Sequence, residues 1–216
     1  ATPTDGLMDN VHPLRDAAKA DLVALLISEG NNNYCGMAYE LRELKDYFAS
    51  SGFGVTALDY ADPFSCSELT LVHELGHNLG NAHNRQNNDE PTLFPYSYGY
   101  QSPSGTFRTI MSYDCPNGCQ RISQWSNPNV WFKDEPTGAS YEANPAGASD
   151  VARSMNQARK LVSNFRADCV EQTPTDVPSP TSTPVPSITP TNTAVPTQTS
   201  TPTVAFTPTK TPMPTV

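Results

Sequence analysis

Eleven consecutive residues limit what this chain can build more than any other stretch. They run His73-Glu74-Leu75-Gly76-His77-Asn78-Leu79-Gly80-Asn81-Ala82-His83, in the pattern H-E-x-x-H-x-x-G-x-x-H. On a helix, positions i and i+4 lie on one face, so His73 and His77 aim both imidazoles at one point. A zinc ion at that point sits roughly 2.0–2.1 Å from each nitrogen. Glu74, beside His73, reaches a water on the ion rather than the ion itself. Gly80 lets the chain leave the helix, because a residue without Cβ takes the left-handed conformation at no steric cost. His83 then returns to the same ion as third ligand. Three protein ligands leave one tetrahedral position open, which marks a catalytic rather than a structural site. The chain holds 4 His in 216 residues, and three fall inside these positions. Imidazoles scattered along a polar helix are therefore a poor alternative.

This stretch resembles the metzincin clan of zinc endopeptidases, in which the same motif is followed by a Met-turn. Thr109-Ile110-Met111-Ser112-Tyr113 stands downstream. The resemblance implies that Met111 forms an apolar floor beneath the ligands and that Tyr113 donates a hydrogen bond to the oxyanion of the reaction; the alternatives for Tyr113 are a fifth ligand in the resting enzyme or simple packing. Further stretches look like the bacterial peptidyl-Asp metalloendopeptidases, a reprolysin-like group: Leu14-Arg15-Asp16, Cys35-Gly36-x-Ala38-Tyr39, Phe94-Pro95-Tyr96, Trp125-Ser-Asn-Pro128 and Val162-x-Asn164-Phe165. They run in order across nearly all of residues 7–168.

That likeness implies an α+β (α/β) fold: a mixed twisted sheet, an active-site helix, a Met-turn and a C-terminal helix. It implies zinc-dependent hydrolysis of peptide bonds with Glu74 as general base. Gly36, Met37, Ala38 and Tyr39 would form the edge strand that pairs with an extended substrate, since an edge offers unpaired N–H and C=O groups. Cleavage before acidic residues would need a cation on the primed side, and Arg121 and Arg108 are candidates by position. Family members begin with a strand, a helix and a second strand ahead of this chain's first residue, so the domain here is expected to lack its N-terminal strands. Asn84 stands where reprolysin-like enzymes commonly carry Asp, a change expected to soften the support behind the ligands.

Composition breaks at Thr173. Residues 1–172 hold nearly all the aromatic and aliphatic content and suffice for one domain with a real core. Residues 173–216 are Thr, Pro, Ser and Val, with eleven of the 21 prolines. Such a segment has too little apolar surface to offset its backbone entropy. It reads as a disordered, polyproline-like linker to further domains. The net charge is −9, and because Asp176 and Lys210 cancel, residues 1–172 carry all of it. That balance speaks against nucleic acid and anionic membranes as partners, and no apolar run is long enough to span a bilayer. A protein or peptide is the expected substrate.

The five cysteines lie at no metal-binding C-x-x-C spacing. An extracellular setting, secreted or at a bacterial cell surface, permits disulfides. Cys115 and Cys119 can close a short loop, and Cys35 and Cys66 can tie an edge strand to the segment before the zinc helix. Cys169 is left over.

The remaining elements follow from pattern. A helix is expected from His12, with that imidazole facing solvent. Asp21–Ser28 reads as a central parallel strand. Tyr34–Leu41 and Phe53–Tyr60 read as strands, while Glu40–Ser50 fits either a strand end or a helix face. The zinc helix spans Glu68–Leu79 behind a Ser65 or Ser67 cap, and Ala148–Ala167 forms a closing helix. Trp125 reads as a core or wall residue. A second function class is a non-catalytic zinc-binding adhesion module on a Thr/Pro stalk. An intact Glu74 argues against it.

Overall fold

The computed structural model describes residues 4, 6–29, 34–59 and 66–166. Cys169 and the expected linker at 173–216 lie outside the described residues, as does Ser65.

Helix α1 spans Val11–Ala18 and is followed by strand β1, Val23–Glu29. Arg15 joins them. Its buried guanidinium donates to the carbonyls of Ala20 (2.9 Å), Ala49 (2.7 Å) and Asp21. Such a charge is tolerated in the interior because its donors are satisfied. His12 does not face solvent as expected. Its ring packs edge-on to Phe53, centroids 5.0 Å apart, since the first turn of α1 lies over the start of β3.

Strand β2 is short, Gly36–Ala38, and β3 spans Phe53–Asp59. The sheet order is β1-β3-β2, with β1 parallel and β2 antiparallel to β3. Asp21–Ser28 is thus a parallel strand, but among the described residues it is an edge rather than the centre. Its uninterrupted apolar run signals burial on both faces, yet Leu25, Leu26 and Ile27 are exposed, as is Leu58 of β3. The ambiguous stretch before β3 is a 3-10 helix at Asp46–Ser51, which buries Phe48.

Helix α2, Thr70–Asn78, carries the motif. It begins later than expected, because Ser67 organises the turn before it. Ser67 Oγ accepts from Leu69 N at 3.1 Å, and Ser67 O accepts from Thr70 N and Oγ1. The helix lies close on the sheet because the sheet is nearly bare beneath it. A Cβ at Gly54 would stand 3.2 Å from Ala38 Cβ and 3.7 Å from Glu74 Cβ. Asn78 then pins helix to sheet. Its buried amide donates to Tyr39 O (2.9 Å) and Phe53 O (3.2 Å), at the end of β2 and the start of β3.

Downstream, β4 (Phe107–Arg108) pairs parallel with β5 (Gln120–Arg121), and β6 (Trp131–Phe132) pairs antiparallel with β7 (Glu135–Pro136). The closing helix, α3, spans Val151–Val162, with Asp150 accepting from Arg153 N at its start. It serves two cores. Val151 joins Ile110, Met111 and Trp125, while Ala158 and Val162 join Leu41, Phe48 and Phe165. Cys115 and Cys119 form a disulfide, whereas Cys35 and Cys66, expected as a pair, are not joined to each other. No described helix is long and apolar enough to cross a membrane.

Two strands meet α2 through one side chain, so Asn78→Ala should lower the unfolding free energy by about 1–3 kcal/mol. Urea titration checks this, and an unchanged midpoint would mean that the two hydrogen bonds contribute nothing net.

Candidate metal centre and cleft

Two imidazoles of the motif are held by a backbone carbonyl on the far side. His73 Nδ1 donates to Ile110 O and His77 Nδ1 to Asn81 O, both at 2.8 Å. With Nδ1 committed as donor, the Nε2 of each of these two rings is a bare lone pair. The three Nε2 atoms form a triangle with every side 3.2 Å. A tetrahedral ion roughly 2.0–2.1 Å from each nitrogen requires an edge of about 3.3 Å. The group therefore fits such an ion closely.

Two turns produce this convergence. Asn81 N and its side-chain amide both donate to Gly76 O, at 3.1 and 3.0 Å, turning the chain off the end of α2. Gly80 has φ +84°, and a Cβ there would strike Leu93 and stand 3.0 Å from Leu41 O. No L side chain suits that position. The second turn carries Met111, which is buried against α2 where Gly76 leaves room. Gly99 supports it from behind, since a Cβ at Gly99 would lie 2.6 Å from the Met111–Ser112 backbone. Gly76 and Asn81 were given no role of their own from sequence. Gly76 had a signal, an unexplained glycine between two ligands in mid-helix.

Burial shapes the electrostatics. Desolvation lowers His77 to about 4 and His83 to about 3, and holds His73 well below its ordinary value. All three rings are neutral at pH 7, as metal ligands must be. Desolvation also raises Glu74 to about 7. The Tyr113 ring packs tilted against His83, centroids 4.1 Å apart. Partial burial, then the nearby Glu74 charge, raises its hydroxyl pKa.

Asn84 does not leave this region slack. It is buried, its Oδ1 accepts from Tyr113 N at 3.0 Å, and its amide donates to Gln86 and Asn87. A neutral amide here serves three partners at once.

His73, Glu74, His77, His83 and Tyr113 line one cleft of about 780 Å³, together with Gly36, Met37, Ala38 and Tyr39. Strand β2 borders it and, among the described residues, has β3 on one side only. Both candidate cations line the cleft as well, as register partners across β4 and β5. They differ in their partners. Arg108 donates to Ser112 O and lies 3.4 Å from Asp114. Arg121 donates to Ile110 O and forms no salt bridge among the described residues. Burial, then repulsion from Arg108, lowers Arg121 to about 10, against the pull of Cys35 and Glu74. Its Nη2 lies 2.8 Å from His73 Nδ1. Both nitrogens donate to one carbonyl, so this is a donor–donor contact and not a hydrogen bond between them.

Residues 5–158 match the Metallo-peptidase family M12B Reprolysin-like. The chain belongs to that family. It is 33% identical over 168 residues to a peptidyl-Asp metalloendopeptidase of Stenotrophomonas maltophilia (strain R551-3), covering 76% of this chain and 36% of that protein. To the peptidyl-Asp metalloendopeptidase of Xanthomonas campestris pv. campestris it is 31% identical over 162 residues, 75% of this chain and 35% of the relative. To that of Pseudomonas fragi it is 32% identical over 126 residues, 58% and 75% respectively. The chain thus spans little more than a third of the length of the first two. M12B metallopeptidases are zinc-dependent, and the three-histidine group is able to hold that ion.

The rings fold neutral, while an unfolded chain takes up protons on them below pH 6.5. Stability from this source is therefore present above 6.5 and lost as pH falls toward about 4. Between pH 7 and pH 5 each such ring should cost zinc-free protein on the order of 2 kcal/mol, partly offset by Glu74, whose raised pKa acts in the opposite sense, and denaturant titration reads the net loss. His77→Ala should flatten that slope, and an equally steep slope in the variant would place its origin elsewhere.

Proposed function

We propose that this chain is the catalytic portion of an extracellular bacterial zinc endopeptidase that favours cleavage before Asp. In this reading residues 1–172 are the catalytic domain, and Thr173–Val216 links it to further domains. The observation that carries the proposal is the triangle of Nε2 atoms with Glu74 beside it, opening onto a cleft bordered by a sheet edge.

His73, His77 and His83 would hold the ion, above a Met-turn floored by Met111. Zinc, when bound, brings the pKa of a water toward neutrality and polarises a carbonyl. The chain's own groups supply the rest. Strand β2 aligns an extended peptide through its open edge. Glu74, raised toward neutrality by burial, takes a proton and passes it to the leaving amine. Tyr113, whose pKa is raised, keeps its hydroxyl proton and donates it in a hydrogen bond to the developing oxyanion.

Arg121 would receive the substrate's aspartate. Support comes from the lack of a salt bridge on its guanidinium among the described residues, and from its place near Cys35, at the start of β2. Arg108 already has Asp114. The relatives' names carry the same preference.

Glu74→Gln should bind zinc fully and lose peptidase activity by several orders of magnitude. The same change removes a buried charge. At pH 8, above the raised pKa, the zinc-free variant should be more stable than the parent by about 1 kcal/mol. Casein hydrolysis at the parental rate by the zinc-loaded variant would end the mechanism. Arg121→Met should cut the preference for Xaa-Asp over Xaa-Leu peptides by about 10–100-fold with zinc retained. Competition kinetics on paired peptides measure this, and an unchanged ratio would exclude Arg121 as the anchor.

A further inference from the structure

The Glu74 side chain runs through the space that a side chain on residue 36 would occupy. A Cβ on Gly36 would lie 2.5 Å from Glu74 Oε1 and 2.7 Å from both Cδ and Cγ. Carbon atoms do not approach that closely, so the two cannot coexist as placed. The glycine is not needed for its backbone. Gly36 is absent from the residues with positive φ and sits in an ordinary extended strand. What the site requires at this position is empty volume.

Neither backbone is free to yield. Gly36 pairs with Thr56 across the sheet, and Ala57 N donates to Cys35 O at 2.8 Å. Two residues on, Ala38 closes against Gly54. The helix is tied down by Asn78 on Tyr39 O and Phe53 O, and by Leu41 N donating to His77 O at 3.1 Å. With strand and helix both fixed, the part that moves on adding a methyl group is the Glu74 carboxylate.

We propose that Gly36 is a positioning residue, and that its missing side chain is the slot which fixes the Glu74 carboxyl group beside the three imidazoles. The inference rests on the reading of Glu74 as the proton acceptor. It gives β2 a second role besides bordering the cleft: its inward side sets the base, while its outer edge stays open to a peptide.

The test is a double-mutant cycle on zinc-loaded protein with Gly36→Ala, Glu74→Asp and the pair. Gly36→Ala should keep stoichiometric zinc and hold KM within about threefold, with kcat falling about 100-fold, the scale of a misplacement near 1 Å. Aspartate is one methylene shorter and leaves the crowded volume. Glu74→Asp should therefore cost at least about tenfold less in the Gly36→Ala background than in the parent. A Gly36→Ala enzyme within twofold of the parental kcat overturns the slot, and so do two effects that simply multiply. A rise in KM without coupling to residue 74 also overturns it, because that is the pattern of a glycine serving only substrate approach. Should Gly36→Ala lose zinc or fail to fold, recovery in the double variant supports the proposal and no recovery overturns it. Glu74→Gln run alongside separates the two readings. If that variant is active, the mechanism fails. If it is inactive while Gly36→Ala is active, only the slot fails.

Discussion

Three imidazole nitrogens do not stand 3.2 Å apart in a protein interior unless each ring is held from behind. Their lone pairs repel, and none can satisfy another without rearranging a proton. Here the opposition is met for two of the rings by backbone carbonyls, Ile110 O and Asn81 O, each taking an Nδ1 proton, while His83 lies against the Tyr113 ring. Those supports come from separate turns. Much of the downstream chain can be read as scaffolding that brings the turns to the end of one short helix. Gly99 backs the turn at Met111, Asn84 ties Tyr113 to the segment after His83, and α3 packs Val151 beneath the same turn.

The second constraint is thickness. A helix normally rests on a sheet across a layer of side chains, but α2 sits nearly on the strands. Gly36, Ala38 and Gly54 leave almost nothing between them, and Gly76 repeats the device on the side facing Met111. Close approach brings the Glu74 carboxylate within reach of a strand edge. It also removes tolerance, since packed interiors respond to the addition of a single methyl group.

The metal site was legible in sequence because its geometry is local. A spacing of four residues on a helix, a glycine exit and a third histidine specify the convergence without knowledge of the rest. The two candidate arginines could be named but not ranked, because Asp114 distinguishes them only after folding. What the gaps at Gly36 and Gly76 accommodate was unreadable for a deeper reason: nothing in a sequence says which neighbour a missing side chain makes room for. Strand β1 shows the opposite limit. Its composition announced a buried strand, and position in the sheet, a property of chain pairing rather than of composition, decided otherwise. His12 likewise took a half-buried place against Phe53 that no local pattern signals.

Strand β2 sorts its residues by direction. Gly36 and Ala38 turn inward toward the helix, while Met37 between them is 60% exposed. The alternation of a strand thus separates the positions that chemistry has frozen from one that it has not. On the proposed reading, a randomised library that varied Met37 together with the exposed Tyr34 would change the face offered to a peptide while leaving the volume beside Glu74 alone, which makes this strand a natural handle for retargeting.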